Sequence, residues 1–414
     1  MHEQMMDEVV SEENLARALR AVVRNKGAAG IDKMTTEELQ EHFARHREGI
    51  RTKLLAGRWT PSPVKRVEIP KPGGGVRKLG IPTVMDRLIQ QALLQVMGPI
   101  FEERFSESSY GFRVGRSAHE AVRKAQEYVQ AGKDWVVDID IEKFFDQVNQ
   151  DLLMNRIARV IRDKRVLRLI GRYLRAGAVV EGEWEPSAAG TPQGGPLSPL
   201  LGNIYLDPLD QELEKRGLSF CRYADDCNIY VSSEAAAERV LASTGDWIEK
   251  RLRLRVNRTK SGRGRPWERK FLGFSIDREG RIMMAKESLK RYKRKVRELW
   301  RGRQSRTSTE LRDRWLSWLR GWWGYYRLAE NRRELLRLEG WTRRHIRKYF
   351  WLRWHSKKGR LKALRRLGVN ERLLKLAPTR RGSWFMSRNP LMQSSLSNAV
   401  LRRHGFLVPS KLAG

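Results

Sequence analysis

Leu218-Ser219-Phe220-Cys221-Arg222-Tyr223-Ala224-Asp225-Asp226-Cys227-Asn228-Ile229-Tyr230-Val231 is the stretch on which the reading of this chain turns. Aromatic and β-branched residues on both sides of Tyr223-Ala224-Asp225-Asp226 predict a hairpin with two acids at its tip. Most Asp pairs are no more than polar turns, so the tetrapeptide takes its meaning from its surroundings. Cys221 and Cys227 flank it six positions apart, without the paired cysteines or histidines that zinc needs. They read as small buried hairpin residues. Nothing suggests a disulfide framework, which fits a reducing cytoplasm.

Working outward, Trp135-Val136-Val137-Asp138-Ile139-Asp140-Ile141 reads as a short apolar strand carrying acids, followed by Phe144-Phe145 and helices over 149–176. Gly190-Thr191-Pro192-Gln193-Gly194-Gly195-Pro196-Leu197-Ser198-Pro199 dictates a rigid loop, from which Ser198 or Pro199 starts a helix through Leu209. Val64 to Ile69 alternates and ends at Pro70, Pro72 and a glycine turn, with a second strand over Val76 to Ile81. Ile81-Pro82 opens a helix running to Pro99. Residues 12–60 read as helical, interrupted by the Gly27-Ala28-Ala29-Gly30 loop. A helix at 235–252 and a strand pair around Phe271–Phe274 and Arg281–Met284 complete an α/β body. Beyond about 285 the pattern is wholly helical and very basic, which sets a boundary near 280–295.

At 414 residues, with 40% hydrophobic residues and 14 Trp, the chain can bury more than one core. No run approaches the ~20 apolar residues of a membrane helix, and no signal segment opens the chain, so a soluble cytoplasmic protein is expected. The formal net charge is +35. Residues 281–414 carry 37 Lys plus Arg against 8 Asp plus Glu, a net +29. So basic a segment repels itself unless it meets a polyanion, and a phosphate backbone fits better than a membrane surface, which favours a short basic amphipathic helix.

Joining nucleotides calls for two divalent ions roughly 3.5–4 Å apart, held by carboxylates on rigid elements. Asp225-Asp226 at a hairpin tip beside a strand holding Asp140 meets that need. Alternation places Asp138 and Asp140 on the same face, so periodicity leaves the choice between them open.

Seven blocks resemble, in order, the group II intron reverse transcriptases, or intron-encoded maturases. They are Val67 to Pro72 through Gly80-Ile81-Pro82, Ser109-Tyr110-Gly111-Phe112-Arg113, Asp140 to Asp146, Gly190 to Leu200, Tyr223 to Asp226, Asn257-Arg258-Thr259-Lys260, and Phe271-Leu272-Gly273-Phe274. The resemblance covers almost the entire chain. It implies an α+β right-hand polymerase, with fingers and palm, an all-helical thumb and a short basic C-terminal DNA-binding segment. The implied bounds are 1–62 for an N-terminal extension and the start of the fingers, and 63–290 for fingers and palm. The thumb, or maturase-specific domain, would be 291–380 and the DNA-binding segment 381–414.

The resemblance also implies roles. Asp140, Asp225 and Asp226 would be the catalytic carboxylates and ligands of two Mg2+ ions (Mn2+ as substitute), with Asp226 more peripheral and Asp138 structural. Phe145 would lie under the incoming sugar and exclude a 2′-hydroxyl. Lys71 and Arg77 would clamp the triphosphate, Gln193 would pack against the nucleotide, and Gly194 and Gly195 would let backbone approach closely. Lys260 would protonate the pyrophosphate, and Phe271, Leu272, Gly273 and Phe274 would grip the primer end.

Residues 300–354 hold eight tryptophans, and Trp315, Trp318 and Trp322 recur at helical spacing, which predicts a packed helical thumb. Arg312, Arg314, Arg320, Arg327, Arg343, Arg344 and Arg347 fit a basic surface tracking nucleic acid, joined by Arg381 and Trp384 further on. The family's partners would be group II intron RNA, a DNA target and primer, an RNA template and deoxynucleoside triphosphates, with no membrane involved. No cysteine follows Cys227, so the chain looks like the compact bacterial class C lineage without an endonuclease domain. The implied activity is RNA-directed DNA synthesis with splicing assistance and target-primed intron mobility. The alternatives are a host-adopted relative in DNA repair or defence, and a splicing-only RNA-binding maturase.

Overall fold

The computed structural model describes residues 3–70, 75–180, 182–186, 190–191, 194–302, 305–375, 377 and 381–412. They fall into two compact units, Met1–Arg265 and Pro266–Gly414.

The first unit opens with helices α1 (Met5–Val9), α2 (Glu12–Asn25) and α3 (Thr36–Leu55), then strands β1 (Val64–Pro70) and β2 (Val76–Ile81). Next come α4 (Val84–Glu102), α5 (Ala118–Gln130), β3 (Trp135–Ile139), α6 (Phe144–Gln147), α7 (Gln150–Val160), α8 (Lys164–Arg175), β4 (Ala178–Val180) and β5 (Glu183–Glu185). The unit ends with α9 (Ser198–Lys215), β6 (Ser219–Tyr223), β7 (Asp226–Val231), α10 (Glu234–Trp247) and β8 (Gly262–Gly264).

Local chemistry sets these boundaries. Thr35 accepts from the Glu38 backbone N–H while the Thr35 N–H donates to the Glu38 carboxylate at 2.8 Å, a capping box that starts α3. Thr83 caps α4 by accepting from the Asp86 N–H at 3.1 Å. The hydrophobic core of this unit gathers Leu88, Ile89 and Leu93 of α4, Ile204 and Leu209 of α9, and Val137 and Ile229 of the sheet.

Two four-stranded sheets frame the unit, in orders β2-β1-β4-β5 and β6-β7-β3-β8. In the second, antiparallel sheet Ile139 pairs with Cys227 and Asp138 with Asn228. The β4–β5 hairpin is an addition to the sequence reading, because its three-residue strands are too short for alternation to register.

The second unit holds β9 (Phe274–Ile276), β10 (Ile282–Met284), α11 (Lys286–Leu299), α12 (Ser308–Tyr326), α13 (Arg332–Arg353) and α14 (Lys357–Arg366). Short helices α15 (Glu371–Leu374), α16 (Ser383–Met386), α17 (Pro390–Ser395) and α18 (Asn398–Arg403) complete it. The units divide at 265/266, ahead of the helical switch near 285, because the β9–β10 hairpin belongs to the helices. The Ile282 N–H donates to the Glu330 carboxylate at 2.6 Å, the Glu330 N–H donates back to the Ile282 carbonyl at 2.8 Å, and the Phe274 ring packs 5.3 Å from Tyr326. Of the three tryptophans at helical spacing, Trp315 is fully buried while Trp318 and Trp322 are half-buried, and Trp300 and Trp351 are fully buried as well.

Candidate active site

The Tyr223–Asp226 pair closes the β6–β7 hairpin, leaving Ala224 and Asp225 as its two loop residues. Ala224 sits at φ +56°, a left-handed conformation that costs an alanine about 1 kcal/mol or more. The surroundings hold it there. Arg222 Nη1 donates to the Ala224 carbonyl at 2.8 Å. On the other side Gly111 packs so closely that a Cβ would strike the Ala224 backbone nitrogen. Asn203 of α9 donates to the Gly111 carbonyl at 2.8 Å, and the Tyr110 N–H donates to the Arg222 carbonyl at 2.8 Å. The Ser109–Arg113 block is therefore the bracket of the acidic turn.

Asp140 lies one residue past the Ile139–Cys227 pair, at the end of β3 beside this turn. Its N–H donates to Ser261 Oγ at 2.9 Å and its carbonyl accepts from the Asn257 N–H at 2.8 Å. Burial raises the Asp225 carboxyl above its ordinary pKa, the Asp140 charge pushes it further, and Arg77 and Arg222 pull it back. The Asp140 carboxylate thus stands near enough for its charge to bear on Asp225, behind burial as the main cause. Asp138 lies instead within the ladder, paired with Asn228 on one side and Gly262 on the other. Asp226 is exposed and belongs to β7 rather than to the loop.

Among the described residues no three His, Cys, Asp or Glu side chains converge closely enough to hold a metal ion. The donor set nevertheless fits a divalent cation. Asp140 and Asp225 present hard carboxylate oxygens, and their repulsion is what a cation between them would relieve.

The remaining expected residues distribute as follows. Lys260 Nζ stands 4.0 Å from Asp140 Oδ2, at the edge of ion-pairing range, with its side chain mostly exposed. Arg77 lies on β2 opposite Ile69, within electrostatic reach of Asp225. Phe145 is half-buried, its ring 5.0 Å from Phe144, and a Cβ at Gly202 would touch it at 3.5 Å. Lys71 and Gln193 lie outside the described residues. Gly194 and Gly195 do allow a close approach, but to protein: Cβ atoms there would meet the Gly80 carbonyl at 2.5 Å and the Gln90 side-chain oxygen, respectively.

In the second unit Leu272 and Gly273 take φ +51° and +83° in a turn whose carbonyls accept from Tyr325 at 2.7 Å and Ser288 at 2.9 Å. Phe271 and Phe274 are buried there. Arg314, Arg320 and Arg381 are exposed, Arg381 stacking on Phe385. Arg312 pairs with Asp313, Arg343 reaches Glu339 at 3.5 Å, and Arg344 lies 3.7 Å over the Trp384 ring.

Arg347 corrects the expectation of a basic surface. It is 3% exposed and donates to the Leu396 carbonyl at 2.8 Å and to Asn398 Oδ1 at 2.9 Å, tying the C-terminal segment to α13. Its charge has hydrogen-bond acceptors inside the unit, so it is a strut rather than a phosphate contact.

Sequence reading also missed Arg222, Asp210 and Asn203. Their signal was present, since a charged residue stands between Cys221 and Tyr223 in an apolar strand.

Residues 69–276 match the model of the reverse transcriptase (RNA-dependent DNA polymerase) family, and residues 289–368 match the group II intron maturase-specific domain. The chain is 34% identical to protein YkfC of Escherichia coli K12 over 293 residues, 61% of this chain and 77% of YkfC. It is 36% identical over 208 residues to the group II intron-encoded protein LtrA of Lactococcus lactis, 50% of this chain and 34% of LtrA. Nuclear intron maturase 2, mitochondrial, of Arabidopsis thaliana is 29% identical over 203 residues, 39% of this chain and 28% of that protein. The chain thus spans about a third or less of the two intron-associated relatives.

Proposed function

The chain belongs to the reverse transcriptase (RNA-dependent DNA polymerase) family and carries a group II intron maturase-specific domain; on that premise we propose that its first unit copies RNA into DNA at the Asp140–Asp225 pair, while its second unit binds structured RNA. The observation that carries the polymerase half is the placement of Asp140, at the end of β3, beside the braced β6–β7 turn that carries Asp225.

Asp140 and Asp225, with Asp226 at the periphery, would hold two Mg2+ ions, for which Mn2+ would substitute. When bound, such ions lower the pKa of a primer 3′-hydroxyl and neutralise a departing pyrophosphate. The protein's own side chains then divide the remaining work. Arg77 would face the triphosphate from β2, with Lys71 alongside, and offset charge that builds on the phosphates. Phe145 would floor the sugar and Gln193 would pack against the nucleotide. Lys260, beside Asp140, would supply the proton that the leaving group takes up. Phe271 to Phe274 would steady the primer end.

Group II intron RNA, an RNA template, a DNA target serving as primer and deoxynucleoside triphosphates are the proposed partners. The net +29 of residues 281–414 supports RNA binding by the second unit. Among the described residues no helix is long and apolar enough to cross a membrane.

The test is primer extension on an RNA template with Asp225→Ala combined with Asp226→Ala. DNA synthesis is expected to vanish while RNA binding persists; synthesis that survives removes the assignment. A splicing-only maturase would show no extension even in the unaltered protein.

A further inference from the structure

In the second unit, a cavity of about 590 Å³ opens where the start of α12, the end of α13, α14 and α18 meet. Phe350, Trp354 and Phe406 line its walls, with Phe350 perpendicular to Phe406 at 5.3 Å and 6.0 Å from Trp354. Arg312, Lys362, Arg366 and His404 line it as well, and no acidic residue does so among those described.

The cations are differently placed. Lys362, Arg366 and His404 are exposed and form no ion pair among the described residues. Arg312 is held at the lip, its stem against the Gly405 backbone, where a Cβ would meet Arg312 Cδ at 2.9 Å, and its guanidinium pairs with Asp313. The volume suits a flat ring with its sugar rather than a packed core void.

An apolar aromatic interior under a cationic lip is chemically matched to one class of occupant. A nucleobase brings an uncharged ring that stacks on aromatic side chains, and its flanking phosphates bring the charge that the lip lacks. A duplex would offer the lip its phosphates but leave the interior unused. An acidic peptide with an aromatic side chain would meet the same cations, and the reading of this unit, a match to the group II intron maturase-specific domain, as an RNA binder favours the nucleobase.

We propose that this cavity receives one unpaired base of the RNA bound by the second unit. The proposal rests on the reading of that unit as an RNA binder and adds where and how a single-stranded position is held. The lining cations are exposed or, for Arg312, paired with Asp313, and the other lining side chains are mostly apolar, so the site selects for being unpaired rather than for a particular base. Ser308 and Thr309 at the start of α12 also line it.

The experiment uses the full chain and a blunt RNA duplex of twelve base pairs carrying one bulged 6-thioguanosine, its single unpaired base, for photocrosslinking. Crosslinks are expected in peptides covering 350–363 and 396–406. Replacing the thiobase by an abasic site should weaken binding about tenfold, the lower range for one stacked base. Ala363→Trp, which fills the cavity, should abolish the crosslink and weaken binding to a similar degree while RNA-templated primer extension continues. Lys362→Gln with Arg366→Gln alters only exposed positions and guards against misfolding of the filled variant. It should reduce the salt slope of RNA binding by roughly 1.4.

Crosslinks confined to other segments, an abasic RNA that binds as tightly as the intact one, or a blunt RNA duplex without the bulge that competes equally per phosphate would each overturn the proposal. Primer extension keeps the two claims apart. Its absence in the unaltered protein, with crosslinks in the cavity, defeats the polymerase reading and spares the base site.

Discussion

Asp210 and Arg222 form a fully buried, two-pronged ion pair, Nε to Oδ1 at 2.6 Å and Nη2 to Oδ2 at 2.5 Å, directly behind the acidic turn. The other guanidinium donors reach Asn203 Oδ1 at 3.0 Å, Ser109 Oγ at 2.9 Å and the Ala224 carbonyl at 2.8 Å. Burial alone would lower the Arg222 pKa, and the Asp210 carboxylate holds it above its ordinary value. The pair is charged, satisfied and pointed at the loop that carries Asp225.

Removing only Arg222 should therefore strand a buried carboxylate. Arg222→Met is expected to destabilise the first unit by about 3–5 kcal/mol in urea denaturation. Arg222→Met with Asp210→Leu should recover most of that stability but not DNA synthesis, because the Ala224 carbonyl still lacks its anchor. Full activity in the double variant would show that the anchor is dispensable.

Gly111→Ala is a smaller change with a similar target. Its Cβ would run into the Ala224 backbone nitrogen, and no flexible side chain there can yield. A loss of about 1–3 kcal/mol is expected, with a larger proportional fall in kcat for primer extension than in stability. An active, fully stable variant would mean that the turn moves freely.

Asp207 of α9 responds to the same charges. Burial raises its pKa to about 6, the neighbouring Asp210 adds to the rise, and Arg222 opposes it. One of its oxygens is buried without a hydrogen-bond partner among the described residues. The folded protein thus holds a proton that the unfolded chain gives up near pH 4, so stability falls as pH climbs from about 4 to 6. Asp207→Asn should stabilise the protein above pH 6 by about 1–2 kcal/mol after allowance for solvent screening, and by little at pH 4. Thermal melts at the two pH values decide this.

His345 carries the opposite sign in the second unit. Burial lowers its pKa to about 4, reinforced by Lys348, Arg297 and Arg344, and its ring lies 4.2 Å from Trp341 and 4.9 Å from Trp384. Above pH 6.5 both folded and unfolded forms are neutral. Between pH 6.5 and 4 only the unfolded chain takes up the proton, so stability should drop through that window and level off below it. His345→Gln should flatten the dependence, read by tryptophan fluorescence during urea unfolding at pH 7, 5.5 and 4.

Local pattern alone identified the β6–β7 hairpin, the β3 strand, the α9 start at Ser198 and the helical basic region, because strand alternation, helix periodicity and turn chemistry act over a few residues. Cys221 and Cys227 are buried, as expected of small residues on that hairpin. Between Asp138 and Asp140 the alternation was silent, and the tertiary structure separates them: one lies within the ladder and the other at its end, beside Asp225. It also decided that Gly111 braces Ala224, that Gly194 abuts Gly80, and that Arg347 is a strut while Arg320 is exposed. Periodicity tells which face a side chain occupies, whereas its partner comes from segments up to a hundred residues or more away, as Ser109 does for Arg222. An arginine that meets a buried carboxylate and one that meets water are written with the same letter, and only the packed chain distinguishes them.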